Sequence, residues 1–513
     1  MSKTKKVLLL INDFTGLSDE RFFICSGVDV TECSAESVVA EADEIICHDY
    51  WLIAPALYKK TKSLPKCITD VDELRIATSG RREDRENRDK TDISVALVDF
   101  LDIETIVRYR NIVFKNASFE LEVFKRVGEA LVSLYTHVEK KAKEANEWER
   151  HCQIERPVGD YLIRAALDGI AINTDALRRH KAKIDFSYYM ALKEFSAKYS
   201  LPLHVPSDEE VIEYLTSKDL DFSGVGVNYV LNFVPLNDGF SEKLIELRKI
   251  SNARGVLKAI PVSQKRITPI VDIFGSITSR IYYKDPSLQS LSKLHRDIIS
   301  ADDDKKISYV DFGQYEAGIM GALSGDVAML TLFSSGDLYA QAAEHIFSDV
   351  LRRKEAKRLF LSYAYGMKRN SLIDAAVGFG ALRATAKSFF SQFVDFERWK
   401  LEVHKKFQSS GKIGTSLGNY MTREGTEELS DKERRSAISQ VVQGTASLIF
   451  KKALLKLSLM DDVELKVPMH DAVLFQHANT FDPSIVAELF SQVMTDHFGG
   501  LITGKAYVDD FMK

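Results

Sequence analysis

The sequence predicts a multidomain protein of mixed α/β and α+β class, on three observations. The chain is 513 residues long, enough for two to four domains and a large core. Its first third mixes short β-rich runs with helical ones, and from about residue 265 strands, turns and helices alternate to the C-terminus. Between these regions, residues 150–260 read as mainly helical, and no repeat at a solenoid period is present in the sequence.

In chain order, VLLLI (7–11), ADEIICHDYWLIA and KCITDV are the β-rich runs of a region ending near residue 150. SGRREDRENRDKTD (79–92) has almost no apolar residue and predicts a solvated or disordered loop. A long charged helix follows over roughly 117–150, with Phe119, Val123, Val127, Leu131 and Leu134 spaced to share a face. DFSGVGVNYVLNFVPLNDGFS (221–241) is a Pro/Gly/Asn-rich interruption, and SEKLIELRKISNARGVLKAI (241–260) returns to helix with basic residues along one side.

Apolar residues make up 45% and charged residues 28%, an ordinary soluble balance. With 69 basic against 74 acidic residues, a nucleic-acid partner would have to be held by local basic surfaces. The longest apolar runs are strand-length, which argues against a membrane partner. The start, MSKTKKVLLLINDF, lacks a full signal-peptide pattern. Cys25, Cys33, Cys47, Cys67 and Cys152 fit neither a zinc site nor a disulfide framework, and are expected to be reduced, buried thiols of an intracellular protein.

Four segments carry chemistry. In DFGQYE (311–316), a strand over Ile307 to Val310 delivers Asp311 at its end, with Glu316 just beyond. Alone, such an Asp reads as a carboxylate near a helix N-terminus. In RRKEAKRLFLSYAYG (352–366), Arg353, Lys357, Leu361 and Tyr365 fall at four-residue steps on one helix face. Two cations alone suit a solvated face, but a stripe running on to an aromatic and Gly366 suits a wall for a charged, flat ligand. RRSAISQVVQGTA (434–446) places Arg435, Ser439 and Gln443 at the same steps. In LKVPMHDAVLFQ (465–476), two β-rich runs flank His470 and Asp471 at a hairpin tip, otherwise an ordinary β-turn.

Together and in this order, the four segments resemble family A DNA polymerases of the DNA polymerase I type. The resemblance implies that Asp311 and Asp471 hold two divalent ions about 3.5–4 Å apart, with the backbone carbonyl of Phe312 as a further ligand. Mg2+ suits such an all-oxygen site, with Mn2+ as a substitute. Arg353 and Lys357 would bind the incoming triphosphate and act with the two aspartates in catalysis. Gln314, Tyr339 and Leu361 would join them around the nucleotide. Tyr365 would stack near the template base, and Gly366 would allow close approach. Glu316 would be a steric gate under the sugar, favouring deoxyribonucleotides.

The resemblance extends over about 155–513. TSRIYYKDPSLQS (278–290) brings Arg280 and Gln289 to primer–template DNA, and Arg435, Gln443 and His470 are further implied contacts. The 241–260 helix resembles a thumb helix with Arg248, Lys249 and Arg254 on backbone phosphates. LSGD (323–326), GDLYAQAAEHIF (336–347), GTSLGNYMTRE (414–424) and YLIRAALDGIAINTDAL (161–177) align in family order. The implied architecture is a ribonuclease-H-like, exonuclease-type domain over 1–150, then a right-hand polymerase domain over 151–513. Within it the thumb would span about 180–265, the palm about 266–340 and 401–513, and the fingers about 341–400.

Several positions depart from the family pattern. Ala472 replaces a Glu, Leu361 a Phe or Tyr, Tyr339 a phosphate-contacting His, Gly318 an Arg, Ser439 an Asn and Asn419 an Arg. In the N-terminal region, Ile11 and Ile53 stand where nuclease carboxylates belong, leaving Asp13 and Glu120. Proofreading is therefore expected to be absent, and in a chain this short no 5′-nuclease domain is expected. The expected protein is a monomeric, phage-like, template-directed DNA polymerase in a bacterial or phage-infected cytoplasm, acting in DNA replication on primer–template and dNTPs. A single-subunit RNA polymerase-like enzyme and a non-catalytic DNA-binding derivative are the alternatives.

Overall fold

A computed structural model describes residues 5–12, 20–87, 92–115, 117–218, 220, 226–233 and 238–512. The N-terminal unit is built on a five-stranded sheet of β1 (Lys6–Ile11), β2 (Arg21–Ser26), β3 (Asp29–Cys33), β4 (Ile45–Cys47) and β5 (Ile68–Asp70), in the order β3-β2-β1-β4-β5. β1, β2 and β3 pair antiparallel, while β4 and β5 join in parallel. β1 is apolar without alternation because both its faces are covered. Val7 and Leu9 enter one core with helix Leu121–Ala145, and Leu8 and Leu10 enter another with helix Tyr50–Thr61. Val123, Val127, Leu131 and Leu134 are buried as the spacing predicted, and Phe119 stacks on Phe23 at 4.8 Å.

Three local expectations are corrected here. The run ADEIICHDYWLIA is strand only through Cys47, since helix Tyr50–Thr61 begins where Asp70 accepts the Tyr50 N–H at 2.7 Å. The 79–92 segment contains a short helix, Arg82–Glu86, and residues 88–91 lie outside the described ones. Only Cys25 and Cys47 are buried; Cys33, Cys67 and Cys152 are half-exposed, though all five are free thiols as expected.

The passage into the second unit is continuous helix, not a linker. Trp148–Arg150 runs through a π-helical turn, His151–Glu155, into helix Arg156–Asp168. A buried ionic cluster fixes this passage. Arg150 pairs with Glu147 and Glu155, and Lys451 from helix Asp431–Leu457 also meets Glu155 and donates to Ser279 Oγ at 2.7 Å. Beyond it, β6 (Ile170–Ala171) pairs with β7 (Arg266–Ile267), and β8 (Ile270–Asp272) with β9 (Tyr282–Lys284). A helical unit between them packs Thr174–Tyr199, Asp208–Thr216, Val227–Phe233 and Phe240–Ala259 around Phe195, Phe240 and Leu244. Helix Val227–Phe233 thus falls inside the predicted Pro/Gly/Asn-rich interruption.

A second sheet has the order β13-β14-β10-β15, all antiparallel: β10 (Lys305–Phe312), β13 (Val463–Pro468), β14 (Ala472–Ala478) and β15 (Ala506–Asp509). The expected alternation of strands and helices fails between Phe312 and Lys412, where the described elements are helices alone. Apolar faces there, including Phe360, Phe389, Phe393 and Phe396, pack helix against helix. The hairpin of β11 (Lys412–Thr415) and β12 (Gly418–Thr422) returns the chain toward helix Asp431–Leu457.

Candidate active site

The turn between β13 and β14 carries Asp471 to the end of β10. Asp311 lies opposite Ala472 in the ladder, and the Phe312 N–H donates to the Asp471 carbonyl at 3.0 Å. The two aspartates, distant in sequence, are therefore neighbours. The Asp311 Oδ1 atom is buried and has no hydrogen-bond partner. Burial pushes the Asp311 carboxyl up to about 7; the charges of Asp471 and Asp509 add to this, while Lys357 and Lys293 oppose it. A buried, undonated carboxylate oxygen beside a second carboxylate fits hard divalent cations with oxygen ligands. Among the described residues, no group of three or more His, Cys, Asp or Glu side chains could hold a metal ion, so the fit rests on this pair.

Helix Arg353–Ala364 brings its cations to one aromatic ring. The Arg353 guanidinium and Lys357 ammonium each lie 5.4 Å from the centroid of buried Tyr339, a cation–π arrangement. Arg353 Nε also donates to Asp337 Oδ2 at 2.7 Å. Asp337 in turn caps helix Leu338–Phe347 by accepting the Tyr339 and Ala340 N–H groups. Asp337 is a site residue beyond those expected from the sequence, although a Gly-Asp pair before an apolar helical run is a cap signal.

Glu316, in the first turn of helix Tyr315–Ser324, joins two other predicted residues. Its Oε2 accepts from the Tyr365 hydroxyl at 2.6 Å and its Oε1 from Arg280 Nη2 at 2.8 Å. Burial and then the Glu316 charge hold the Tyr365 phenol well above its ordinary pKa, and Gln443 reaches the same hydroxyl. Leu361 is half-buried against the main core. Gly366, at φ 94°, lies so close to Arg435 that a Cβ would come within 3.2 Å of its side chain. Gly318 has a packing reason, since a Cβ there would meet Phe333 at 2.7 Å and Met494 at 2.9 Å. His470 meets Tyr282 edge-on, with ring centroids 5.6 Å apart.

Four expected ligand contacts are placed differently. Gln314 spends both ends of its amide on backbone, donating to Gly336 O and accepting from Leu338 N. Gln289 does the same, accepting from Tyr283 N while donating to Ile281 O and Pro468 O. Both glutamines act as braces. Arg248 is tied to Asp208 at 2.9 Å and to the Pro206 carbonyl. Arg254 is tied to Asp185 at 2.5 Å and lies 4.4 Å over Tyr188. Of Arg248, Lys249 and Arg254 on helix Phe240–Ala259, Lys249 is the exposed one.

The N-terminal unit holds a cavity of about 90 Å³ against β1, lined by Leu8, Leu10, His48, Asp49, Ile53 and Asp92 among others. Ile53 is buried in its wall. Glu120 is not among the residues lining it; half-buried, it forms an ion pair with Arg108. Asp13 and Asn116 are outside the described residues.

The comparisons with known proteins give the family. The family model for DNA polymerase family A matches residues 230–499, more than half of the chain. The chain belongs to DNA polymerase family A. The DNA polymerase I of Helicobacter pylori is 19% identical over 440 residues, 79% of this chain and 48% of that protein. The thermostable DNA polymerase I of Thermus aquaticus is 25% identical over 202 residues, 36% of this chain and 24% of that protein. The chain thus spans half or less of the length of these relatives. Among solved structures, the POL domain of Pol1 from M. smegmatis, in complex with DNA primer-template and dNTP, matches with a TM-score of 0.76. That match covers 99% of this chain and 94% of the other at 16% identity, a likeness of fold. Among the described residues, no helix is long and apolar enough to cross a membrane.

Proposed function

We propose that the chain is a template-directed DNA polymerase that extends a primer 3′-hydroxyl with dNTPs. The observation that carries this reading is the undonated Asp311 oxygen beside Asp471, within the field of Lys357. Mg2+ ions, or Mn2+ in their place, would be held by Asp311, Asp471 and the Phe312 carbonyl, supplying Lewis-acid activation of the hydroxyl and neutralisation of the triphosphate. Arg353 and Lys357 bind the triphosphate and stabilise charge as the α–β phosphate bond breaks. Glu316 occupies the space a 2′-hydroxyl would need. Leu361 and Tyr365 pack around the sugar and base.

In this reading the antiparallel β10/β13/β14/β15 sheet is the palm, the helices from about 341 to 400 are the fingers, and the 180–265 helices are the thumb. Residues 1–150 are a ribonuclease-H-like exonuclease relic, supported by the mixed β3-β2-β1-β4-β5 sheet and by Ile53 in the wall of the cavity beside β1. Primer–template and dNTPs are the partners, a monomer the working form, and replication of a phage or other small genome in the cytoplasm the setting. Gel-resolved extension of a primed template with dNTPs and Mg2+ tests the reading: wild type extends, and Asp311→Ala does not. Equal extension by both proteins would overturn it. A mismatched, 5′-labelled primer should stay full length without nucleotides, and degradation abolished by Asp13→Ala with Glu120→Ala would overturn the loss of proofreading.

A further inference from the structure

The N-terminal unit reaches the wall of the polymerase site. Helix Val71–Ser79 ends at Gly80, whose φ of 66° turns the chain onto the β11–β12 hairpin. The Gly80 carbonyl accepts the Thr422 N–H at 3.0 Å, and a Cβ at Gly80 would sit 2.7 Å from the Tyr420 carbonyl oxygen. Arg81 pairs with Glu424, and buried Arg150 donates to the Ala77 carbonyl at 3.2 Å. These contacts fix the start of helix Arg82–Glu86 against the second unit.

The result is a cavity of about 340 Å³ shared by both units, in which Arg82 faces Ser276, Arg280, Tyr282, Ser439 and Gln443. None of the residues lining it is acidic. Two guanidinium groups, hydroxyls and an amide are the donor set of a surface that follows a sugar–phosphate strand. Arg280 already engages Glu316, so this cavity opens beside the predicted insertion site.

We propose that Arg82 is a phosphate-binding residue of the primer–template channel, and that the N-terminal unit therefore serves as part of the DNA grip. The inference rests on the polymerase reading above but assigns a role to a region otherwise read as a nuclease relic. Arg82 is exposed, and circular dichroism of each variant checks that the fold is kept.

The test is fluorescence anisotropy of a labelled primer–template with the full chain, as wild type, Arg82→Ala, Arg82→Glu and Arg82→Lys, across a salt series. Losing one duplex phosphate contact should flatten the log–log salt dependence by roughly 0.9. Arg82→Ala should weaken binding at low salt, Arg82→Glu should weaken it further, and Arg82→Lys should stay near wild type. Extension at limiting DNA should fall in the same order as binding. Arg82→Glu with the affinity and salt slope of wild type would overturn this inference while leaving the polymerase reading intact. A wild type that binds no primer–template would overturn both.

Discussion

The Tyr365 hydroxyl donates to Glu316 Oε2 at 2.6 Å, closing a chain that Arg280 begins on the opposite carboxylate oxygen at 2.8 Å. Three segments far apart in sequence are thereby locked at the proposed sugar position, and Glu316 cannot swing aside without taking an acceptor from both a guanidinium and a phenol.

Discrimination between sugars should depend on that carboxylate. Glu316→Ala opens room for a 2′-hydroxyl, so relative ribonucleotide use should rise by roughly tenfold or more. Tyr365→Phe removes one of the two anchors and should give a smaller rise, because Arg280 still holds Glu316. Single-nucleotide incorporation with matched dNTP and rNTP measures both. A selectivity unchanged in Glu316→Ala would refute the gate.

Triphosphate binding should be tunable through Asp337. That residue holds Arg353 at 2.7 Å while capping helix Leu338–Phe347. Asn caps as well as Asp, so Asp337→Asn keeps the helix and frees the guanidinium. Its KM for dNTP should fall a few-fold, whereas Arg353→Ala should raise KM. Asp337→Ala also loses the cap, at a cost of about 0.5–2 kcal/mol in stability. Steady-state kinetics paired with thermal melts separate the two effects, and an Asp337→Asn KM equal to or above wild type would contradict the competition.

How far the site was legible follows from what leaves a local trace. Helical period carried Arg353, Lys357, Leu361 and Tyr365 onto one face, and strand punctuation placed Asp311 and Asp471 at strand ends, because both patterns are written in adjacent residues. Whether a polar side chain faces a ligand or the protein's own backbone is decided by tertiary partners. Gln289 finds Pro468, and Gln314 finds Gly336 and Leu338, pairings that no spacing announces. The same holds for Arg82, whose charged segment reads as solvent-facing until Gly80 is seen to dock on Thr422. Family resemblance supplied roles, and these glutamines show where roles and geometry part.

The buried cluster at the junction should be essential to stability. Arg150, Glu155 and Lys451 are each at most 2% exposed. Removing one partner of such a group strands a buried charge and costs about 3–5 kcal/mol. Arg150→Met should lower the denaturant midpoint and expose the segment near Asn146 to limited proteolysis, since Glu147, its other partner, also holds the Asn419 and Tyr420 N–H groups. A midpoint equal to wild type would show that the cluster relaxes to water without penalty.

Stability should also carry a pH signature from the cavity between the two units, lined by both Asp160 and His151. Burial raises the Asp160 carboxyl to about 7, against which Arg164 and Arg156 pull down. The folded state therefore retains a proton that the unfolded chain has lost, and stability falls as pH rises from about 4 to about 7. Burial, aided by the Arg156 charge, lowers His151 to about 4, so its contribution has the opposite sign: stability is lost as pH falls from about 6.5 to about 4. Asp160→Asn removes the first slope and leaves the second. The variant should gain on wild type as pH rises, by at most roughly 4 kcal/mol, the equivalent of a shift of about three pH units. Urea midpoints for both proteins at pH 5, 6 and 8 measure this. A gap between them that does not widen from pH 5 to pH 8 would mean that the Asp160 carboxyl is solvated and ionises normally.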